Sequence, residues 1–322
     1  MKVCVTGGAG YVGSLLVPKL LSAGHDVRVL DTFWYGDHLP RHARLRRIPG
    51  DIRKRADLKK AFKTQDAVIH LACVSNDPSF DLNPTLGRQV NYSSFLDILT
   101  IMQECHVGRF IYASSSSVYG VSDDHHVTED SPKKPLTDYS KFKLQCENEL
   151  KNFGMGGVWT IVRPATVCGH APRMRFDLVV NILTIQAIKN KKITIFGGNQ
   201  LRPNIYIHDM ARAYEFILQA DERDMDQKTF NVGFENLNLF QIHALIEKVL
   251  GEKIEVEIKE TNDQRSYHIN SDLFLSHGFE TKFDIEKGIV SIIEACKKGR
   301  YANPLVNPEY YNIKKMQGLG LL

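Results

Sequence analysis

Short apolar runs recur along the first half of the chain, and each gives way to a stretch whose apolar positions repeat every three to four residues. The first run, Lys2 to Val5, precedes an amphipathic segment from Ser14 to about Ala23, where Gly24 ends it. Further strand-like runs follow at Asp26–Asp31, Arg46–Gly50, Asp66–Ala72, Arg109–Ala113 and Val158–Val162. Helical patterns lie between them at Asp57–Phe62, Pro84–Glu104 and, after Pro135 and Asp138, from Tyr139 to about Phe153. This alternation predicts an α/β fold with a doubly wound parallel sheet, whose ligands sit in the crevice beyond the strand C-terminal ends.

The first strand runs into Thr6-Gly7-Gly8-Ala9-Gly10-Tyr11-Val12-Gly13 and then directly into a helix. Gly7 permits a tight turn, Gly10 lets the backbone approach a pyrophosphate, and Gly13 lets the helix pack close to the strand. The helix N-terminus then faces the phosphate charge. A glycine-rich turn without a ligand has the same spacing, so the residues farther on decide between the two. Asp31 ends the second strand about twenty residues past the glycines, where a carboxylate grips the adenosine ribose. Such a carboxylate repels a 2′-phosphate, which favours NAD over NADP. Asp51-Ile52 follows the third strand, placed to bond the adenine amino group and cover its ring.

Tyr139 and Lys143 are four residues apart on one helix, so they share a face. A cation one turn from a phenol stabilises its anion, which lets the phenol serve as a base, and Lys143 can also hold the nicotinamide ribose. An amphipathic pair with no chemistry is the alternative reading of Tyr-x-x-x-Lys. Its place after the serine-bearing strand end Ser114-Ser115-Ser116-Ser117 makes it informative. Ser115 is the candidate third member, donating to a substrate oxygen as charge develops, with Ser114, Ser116 and Ser117 as competitors.

Composition adds little beyond exclusions. At 322 residues, 43% hydrophobic and 24% charged, the chain has the make-up of a soluble globular protein of about two domains. A net charge of +4 is too mild for nucleic acid, and Arg41, Arg44, Arg46 and Arg47 read as a solvated face; mild basicity suits an anionic small substrate. The six cysteines form no CxxC pair, which signals neither a metal site nor a redox motif, and Cys4 and Cys73 read as buried thiols. That usage fits a reducing cytoplasm. A strand at the very start leaves no room for a secretory signal, and no apolar stretch is long enough to span a membrane.

Taken together, Thr6 to Gly13, Asp51-Ile52, His70-Leu71-Ala72, Ser114-Ser115, Tyr139-x-x-x-Lys143 and Arg163-Pro164 resemble the extended short-chain dehydrogenase/reductases, and within them the nucleotide-sugar epimerase/dehydratases. The resemblance covers nearly the whole chain. It implies a Rossmann domain over 1–168 and about 204–233, and a smaller C-terminal α/β substrate domain over 169–203 and 234–322. It implies NAD held by Gly7, Gly10, Tyr11, Val12, Gly13, Asp31, Asp51, Ile52, Leu71, Ala72, Asn91, Ser114, Tyr139, Lys143, Pro164 and Val167, with Arg163-Pro164 bordering the nicotinamide. Tyr139 would be the base, helped by Lys143 and Ser115. The substrate would be a nucleoside-diphosphate sugar, met by Ser75, Ser115, Ser116, Arg173, Asn181, Arg202 and Arg265. An Arg suits a diphosphate because its planar fork meets two oxygens at once. A homodimer built on the helices Pro84–Glu104 and Tyr139–Phe153 is also implied.

The shared first step in such enzymes is oxidation at a sugar carbon, usually C4. A 4,6-dehydratase carries Asp-Glu directly after the catalytic hydroxyl, where this chain has Ser116 and Ser117, and family decarboxylases tend to carry Glu where Ser117 stands. Sugar 4-epimerisation or 4-dehydrogenation, in surface-polysaccharide or sugar-nucleotide biosynthesis, is therefore the expected activity. A dehydratase with a non-standard site and a catalytically silent NAD-binding relative are the alternatives. The segment Pro172 to Asn181, expected to begin a helix, resembles a bacterial subgroup that includes GDP-heptose 4-dehydrogenases. Asp77, Glu129, Cys168 and His170 are further positions for an acid or base, while His125 and His126 read as solvated. The tail from Gly299 to Leu322 carries no motif; covering the substrate domain and framing the dimer are the roles open to it.

Overall fold

The computed structural model describes residues 1–75, 77–122, 124, 126–261 and 268–321, with the backbone alone at Asp77 and Pro78. Its centre is a seven-stranded parallel sheet. The strands are β1 (Lys2–Thr6), β2 (Asp26–Asp31), β3 (Leu45–Pro49), β4 (Ala67–His70), β5 (Arg109–Ala113), β6 (Val158–Pro164) and, after an excursion, β10 (Lys228–Val232). Their spatial order is β10-β6-β5-β4-β1-β2-β3. The chain winds outward from β1 through β2 to β3, then returns to place β4 on the other side of β1, with Val3 opposite Ala67. That reversal opens a crevice above the C-terminal ends of β1 and β4.

The alternation of side chains along each strand builds a core on both faces. Val3 and Val5 pack with Leu16, Val17 and Leu20 of α1 (Gly13–Ser22), whereas Cys4 between them packs with Phe62 of α2 (Arg55–Phe62) and with Phe95 and Ile98 on the opposite face. α3 (Asp77–Leu82) leads into one continuous helical path over 84–104, made of α4 (Pro84–Arg88), a π-turn at Gln89–Ser93 and α5 (Ser94–Glu104). The π-turn carries Asn91 to a tertiary contact: Asn91 accepts from the Val74 N–H (2.8 Å) and donates to the Val74 carbonyl (2.9 Å), which bolts the helix to the loop after β4. α6 (Asp138–Asn152) starts in a capping box between Thr137 and Ser140.

The remaining strands form a three-stranded sheet of β7 (Thr166–Cys168), β9 (Arg202–Tyr206) and β11 (Glu235–Leu237), and a parallel pair of β8 (Lys192–Phe196) and β12 (Glu255–Lys259). The remaining helices are α7 (Val179–Asn190), α8 (Ile207–Gln219), α9 (Glu222–Met225), α10 (Leu239–Leu250), α11 (Asp272–Ser276), α12 (Ile285–Lys297) and α13 (Asn312–Gly318). α8 covers the central sheet on the α1 side, through Met210, Tyr214 and Ile217. α7, α10 and α12 share a separate core with Cys168, Ile193 and Ile195.

Two expectations need correction. The segment 172–181, expected to form the beginning of a helix, is irregular up to Leu178 and helical only from Val179, because the Phe176 N–H donates to the Tyr310 carbonyl (2.9 Å) rather than to a helical neighbour. Cys73 is half-buried in the loop after β4 rather than buried in a strand. The tail also has a definite course. Tyr301 packs edge-on against Phe176, Met316 enters the core beside the central sheet, and the Asn83 side chain donates to the Leu321 carbonyl (3.2 Å). It is a strap from the second half back to the first.

His70 at the end of β4 makes stability pH-dependent. Its ring packs on Phe95, Phe110 and Tyr112, and Nδ1 lies 2.6 Å from Thr6 Oγ1. Burial, reinforced by the Lys143 charge, pushes the imidazole down to about 3. An unfolded histidine titrates near 6.5, so on acidification the unfolded chain binds the proton first. The stability contributed by neutral His70 is complete above about pH 6.5 and is lost as pH falls from there toward the folded value. His170, pushed down to about 4 chiefly by burial and next by Arg300, acts in the same direction. Each adds a slope of up to about 1.4 kcal/mol per pH unit in that window. Urea midpoints between pH 7 and pH 5 should fall for the wild type and fall less for His70→Asn; parallel curves would remove His70 from the account.

Candidate active site

A cavity of about 650 Å³ opens above the C-terminal ends of the central strands. Its floor is the glycine loop. Gly7 has φ +71, and a Cβ there would stand 2.6 Å from the Ala72 backbone nitrogen, so the β1 and β4 loops meet only because this residue is glycine. A Cβ at Gly13 would lie 2.4 Å from the Gly8 carbonyl oxygen, which holds the start of α1 tight against the loop. Gly13→Ala should therefore lower both stability and nucleotide retention, read together in a thermal melt with and without added NAD; an unchanged melt in both arms would contradict the close approach.

At one end, Asp31 lines the cavity while its oxygens accept from Ala9 N–H (2.9 Å) and Phe33 N–H (2.8 Å). Burial raises this carboxyl above its ordinary value, opposed by those two N–H groups. Each oxygen keeps a second lone pair for a ligand hydroxyl. Asp51 and Ile52 lie alongside, with Asp51 paired to Arg53 at 2.6 Å. Burial pushes the Asp51 carboxyl up, but the Arg53 hydrogen bonds outweigh it and the net shift is downward.

At the other end lie Ser114, Ser115, Ser116, Tyr139, Lys143, Pro164 and Val167. Lys143 is buried; its Nζ donates to the Ala113 carbonyl (2.6 Å) and stands 5.9 Å from the Tyr139 ring centre. Ser115 caps the short turn Ser116–Tyr119, accepting from the Ser117 N–H at 3.1 Å with its Oγ 2.9 Å from Ser117 Oγ. Ser114 donates to Glu147.

The structure brings most of the expected residues together but turns several aside. Tyr11, Val12, Leu71 and Ala72 line the cavity, yet the Tyr11 hydroxyl points into the protein, donating to the Gly169 carbonyl at 2.6 Å. Asn181 is buried outside the cavity lining, bonded to Gly169 N–H (2.9 Å) and Tyr11 OH (3.0 Å). Asn91 is engaged with Val74. Arg163, expected beside Pro164 at the nicotinamide, faces away: it is 1% exposed and grips both oxygens of Glu147 (3.0 and 2.6 Å). Ser75, Arg173 and Arg202 line the cavity. Asp263, Gln264, Arg265 and His125 lie outside the described residues, as does the side chain of Asp77.

Other candidate acids and bases are engaged elsewhere. Glu129 accepts from the Asn231 N–H (2.7 Å), and His170 Nδ1 lies 2.7 Å from the Tyr301 hydroxyl. Cys168 is fully buried and its thiol is pushed up by that burial. Residues the sequence reading missed also line the cavity: Trp34, Tyr35, Arg175, Asp177 and Asn312. The aromatic run Phe33-Trp34-Tyr35, shortly after Asp31, was a signal; Asn312 had none. Among the described residues no cluster could hold a metal ion, and no helix is long and apolar enough to cross a membrane.

The model of the NAD dependent epimerase/dehydratase family matches residues 3–233. The chain belongs to that family. Its members in the comparison include the UDP-glucose 4-epimerase of Lactobacillus helveticus, 28% identical over 266 residues, covering 75% of this chain and 80% of the relative. The UDP-glucuronic acid decarboxylase 1 of Xenopus tropicalis is 26% identical over 320 residues, covering 92% of this chain and 72% of that one. Among solved structures, MoeE5 in complex with UDP-glucuronic acid and NAD superposes with a TM-score of 0.83 at 25% identity, covering 93% of this chain and all of the other. The protein is an enzyme of this NAD-dependent type, and NAD is its cofactor. The residues present fit it: an α1 N-terminus with no side-chain cap, a carboxylate with lone pairs to spare at one end, and a tyrosine with a buried lysine at the other.

Proposed function

We propose that the enzyme is a nucleotide-sugar 4-epimerase acting on a nucleoside-diphosphate sugar. The observation that carries this reading is the catalytic end of the cavity. Tyr139 and Lys143 are there with Ser115, whereas serines occupy the two following positions, where dehydration would need an acid and a base. Among the described residues the lining carboxylates are Asp31, Asp51 and Asp177, and Asp177 is paired with Arg175 at 2.8 Å. Bound NAD supplies the acceptor and donor of the C4 hydrogen. Ionised Tyr139 takes the proton of the C4 hydroxyl, and Ser115 Oγ–H donates to that oxygen as it becomes a carbonyl. After the keto sugar turns over, Tyr139 returns the proton to the same oxygen. Arg202 and Ser75 are placed to meet the sugar nucleotide from the second half of the chain and the β4 loop. The two-domain division at 168, with 204–233 returning to the first domain, and a homodimer through the helical path over 84–104 and α6 complete the reading.

The test is incubation with UDP-, GDP-, CDP- and dTDP-sugars, with the C4 epimer read by NMR and any 4-keto sugar trapped with borodeuteride. Epimer without loss of water is the expected result. A product lighter by one water would establish a dehydratase, and an accumulating 4-keto sugar a 4-dehydrogenase. Light scattering of the purified protein checks the dimer.

A further inference from the structure

α1 starts without protection. Its N-cap is Val12, which offers no acceptor, and its first turn contains no acidic residue. The Ser14 N–H is taken by the Gly10 carbonyl (2.8 Å) and the Leu15 N–H by the Val12 carbonyl (3.1 Å), while the positive end of the helix dipole meets the cavity at Tyr11, Val12 and Gly13. Beside this positive end the fold places a second positive charge. The Arg173 backbone N–H donates to Ser14 Oγ in that first turn (3.3 Å), and its guanidinium lies 4.2 Å over the Tyr35 ring. Arg173 is 2% exposed.

Among the described residues no carboxylate is hydrogen-bonded to this guanidinium, although Asp177 and Asp31 are close enough to feel its charge. Nη2 donates to the side-chain oxygen of Asn312, which is neutral, and Nε has no hydrogen-bond partner. The Asp177 carboxylate is held on both oxygens by Arg175 (2.8 and 3.0 Å), and Asp31 already accepts from two backbone N–H groups. The strain of the arrangement registers on the group itself: burial, and next the charge of Arg175, pull Arg173 down to about 10. A buried cation with an orphan N–H, against an uncapped helix start, is incomplete until an anion arrives.

We propose that Arg173 is a clamp for the diphosphate of the dinucleotide, closing over the α1 N-terminus. Asn312, carried in by the C-terminal strap, is its positioning residue: it accepts from Arg173 and donates to Ser75 Oγ (3.0 Å), and its backbone N–H donates to Asp177 (3.1 Å). Arg173 thus serves the cofactor rather than the sugar nucleotide, whichever sugar the enzyme takes.

The experiment is calorimetric titration of the full chain, freed of nucleotide with charcoal, using adenosine, ADP, NAD, NADP and UDP as probes. Arg173→Gln should weaken ADP and NAD by about 10- to 100-fold and leave adenosine and UDP within about two-fold, since only the charge-assisted bonds to phosphate are lost. Arg173→Lys should fall between, and Asn312→Ala should weaken ADP in the same direction. A melt separates this from a role in folding: Arg173→Met keeps the packing on Tyr35 but removes the buried charge, so the nucleotide-free protein should melt at the wild-type temperature or above while its stabilisation by ADP is lost. Equal loss of adenosine and ADP binding, loss confined to UDP, loss confined to NADP, or a lower melting temperature of nucleotide-free Arg173→Met would each overturn the assignment.

Discussion

Tyr139→Phe is expected to lower turnover of the sugar nucleotide by about 10²- to 10⁴-fold, the usual contribution of a positioned acid–base group, while purified protein keeps its NAD. The two readouts separate because the other residues expected to hold the cofactor are fixed independently of the phenol. Lys143 is fixed by the Ala113 carbonyl at 2.6 Å, and Asp31 is fixed by the Ala9 and Phe33 N–H groups. The ring of Phe fills the same half-buried position on α6, so stability should change little. Turnover within tenfold of wild type, with NAD retained, would take the base away from Tyr139 and direct attention to Ser115 and its neighbour Ser117.

The largest stability effect is expected at Glu147. Neither it nor Arg163 reaches solvent to any useful degree, at 0% and 1% exposure, and Glu147 accepts two bonds from Arg163 and one from Ser114. Glu147→Ala leaves the guanidinium buried, with the Tyr119 hydroxyl (2.7 Å) and the Glu129 carbonyl (3.0 Å) but no charge partner. The loss should be about 3–5 kcal/mol in chemical denaturation. The exposed pair Lys191–Glu252 is the internal control, and Glu252→Ala should cost about 1 kcal/mol or less. Comparable losses for the two variants would mean that the buried pair is not the keystone of the sheet's α6 side. Because Ser114 lines the cavity and shares Glu147, the same variant should loosen the serine turn that carries Ser115.

The central sheet was legible because buried parallel strands read as short apolar runs, and its helices because their apolar positions repeat at helical spacing. The glycine loop, Asp31 and the Tyr139/Lys143 pair were legible for a different reason: each is a local pattern whose chemistry needs that spacing. What failed were readings of direction. Arg163 and Pro164 are adjacent in β6, and neighbours in a strand point to opposite faces, so only one of them could border the cavity. Asn91 is at the right height on its helix, but a π-turn rotates it onto Val74, a tertiary contact that no helical periodicity encodes. Arg173 and Arg175 look alike in sequence, yet Arg175 is hydrogen-bonded to Asp177 and Arg173 to neutral Asn312. Asn312 reaches Ser75 across 237 positions, beyond anything local patterning registers.

That last contact sets an order of assembly. The glycine loop, Asp31 and the catalytic pair all lie within the first half of the chain, which leaves the ribosome first and folds domain by domain. One wall of the same crevice is closed by a residue made much later: Asn312, against Ser75 and Arg173. A nascent chain can therefore possess every motif of the enzyme while its nucleotide crevice still stands open on the side where the strap will lie. The site is complete only once the chain has been made at least as far as Asn312.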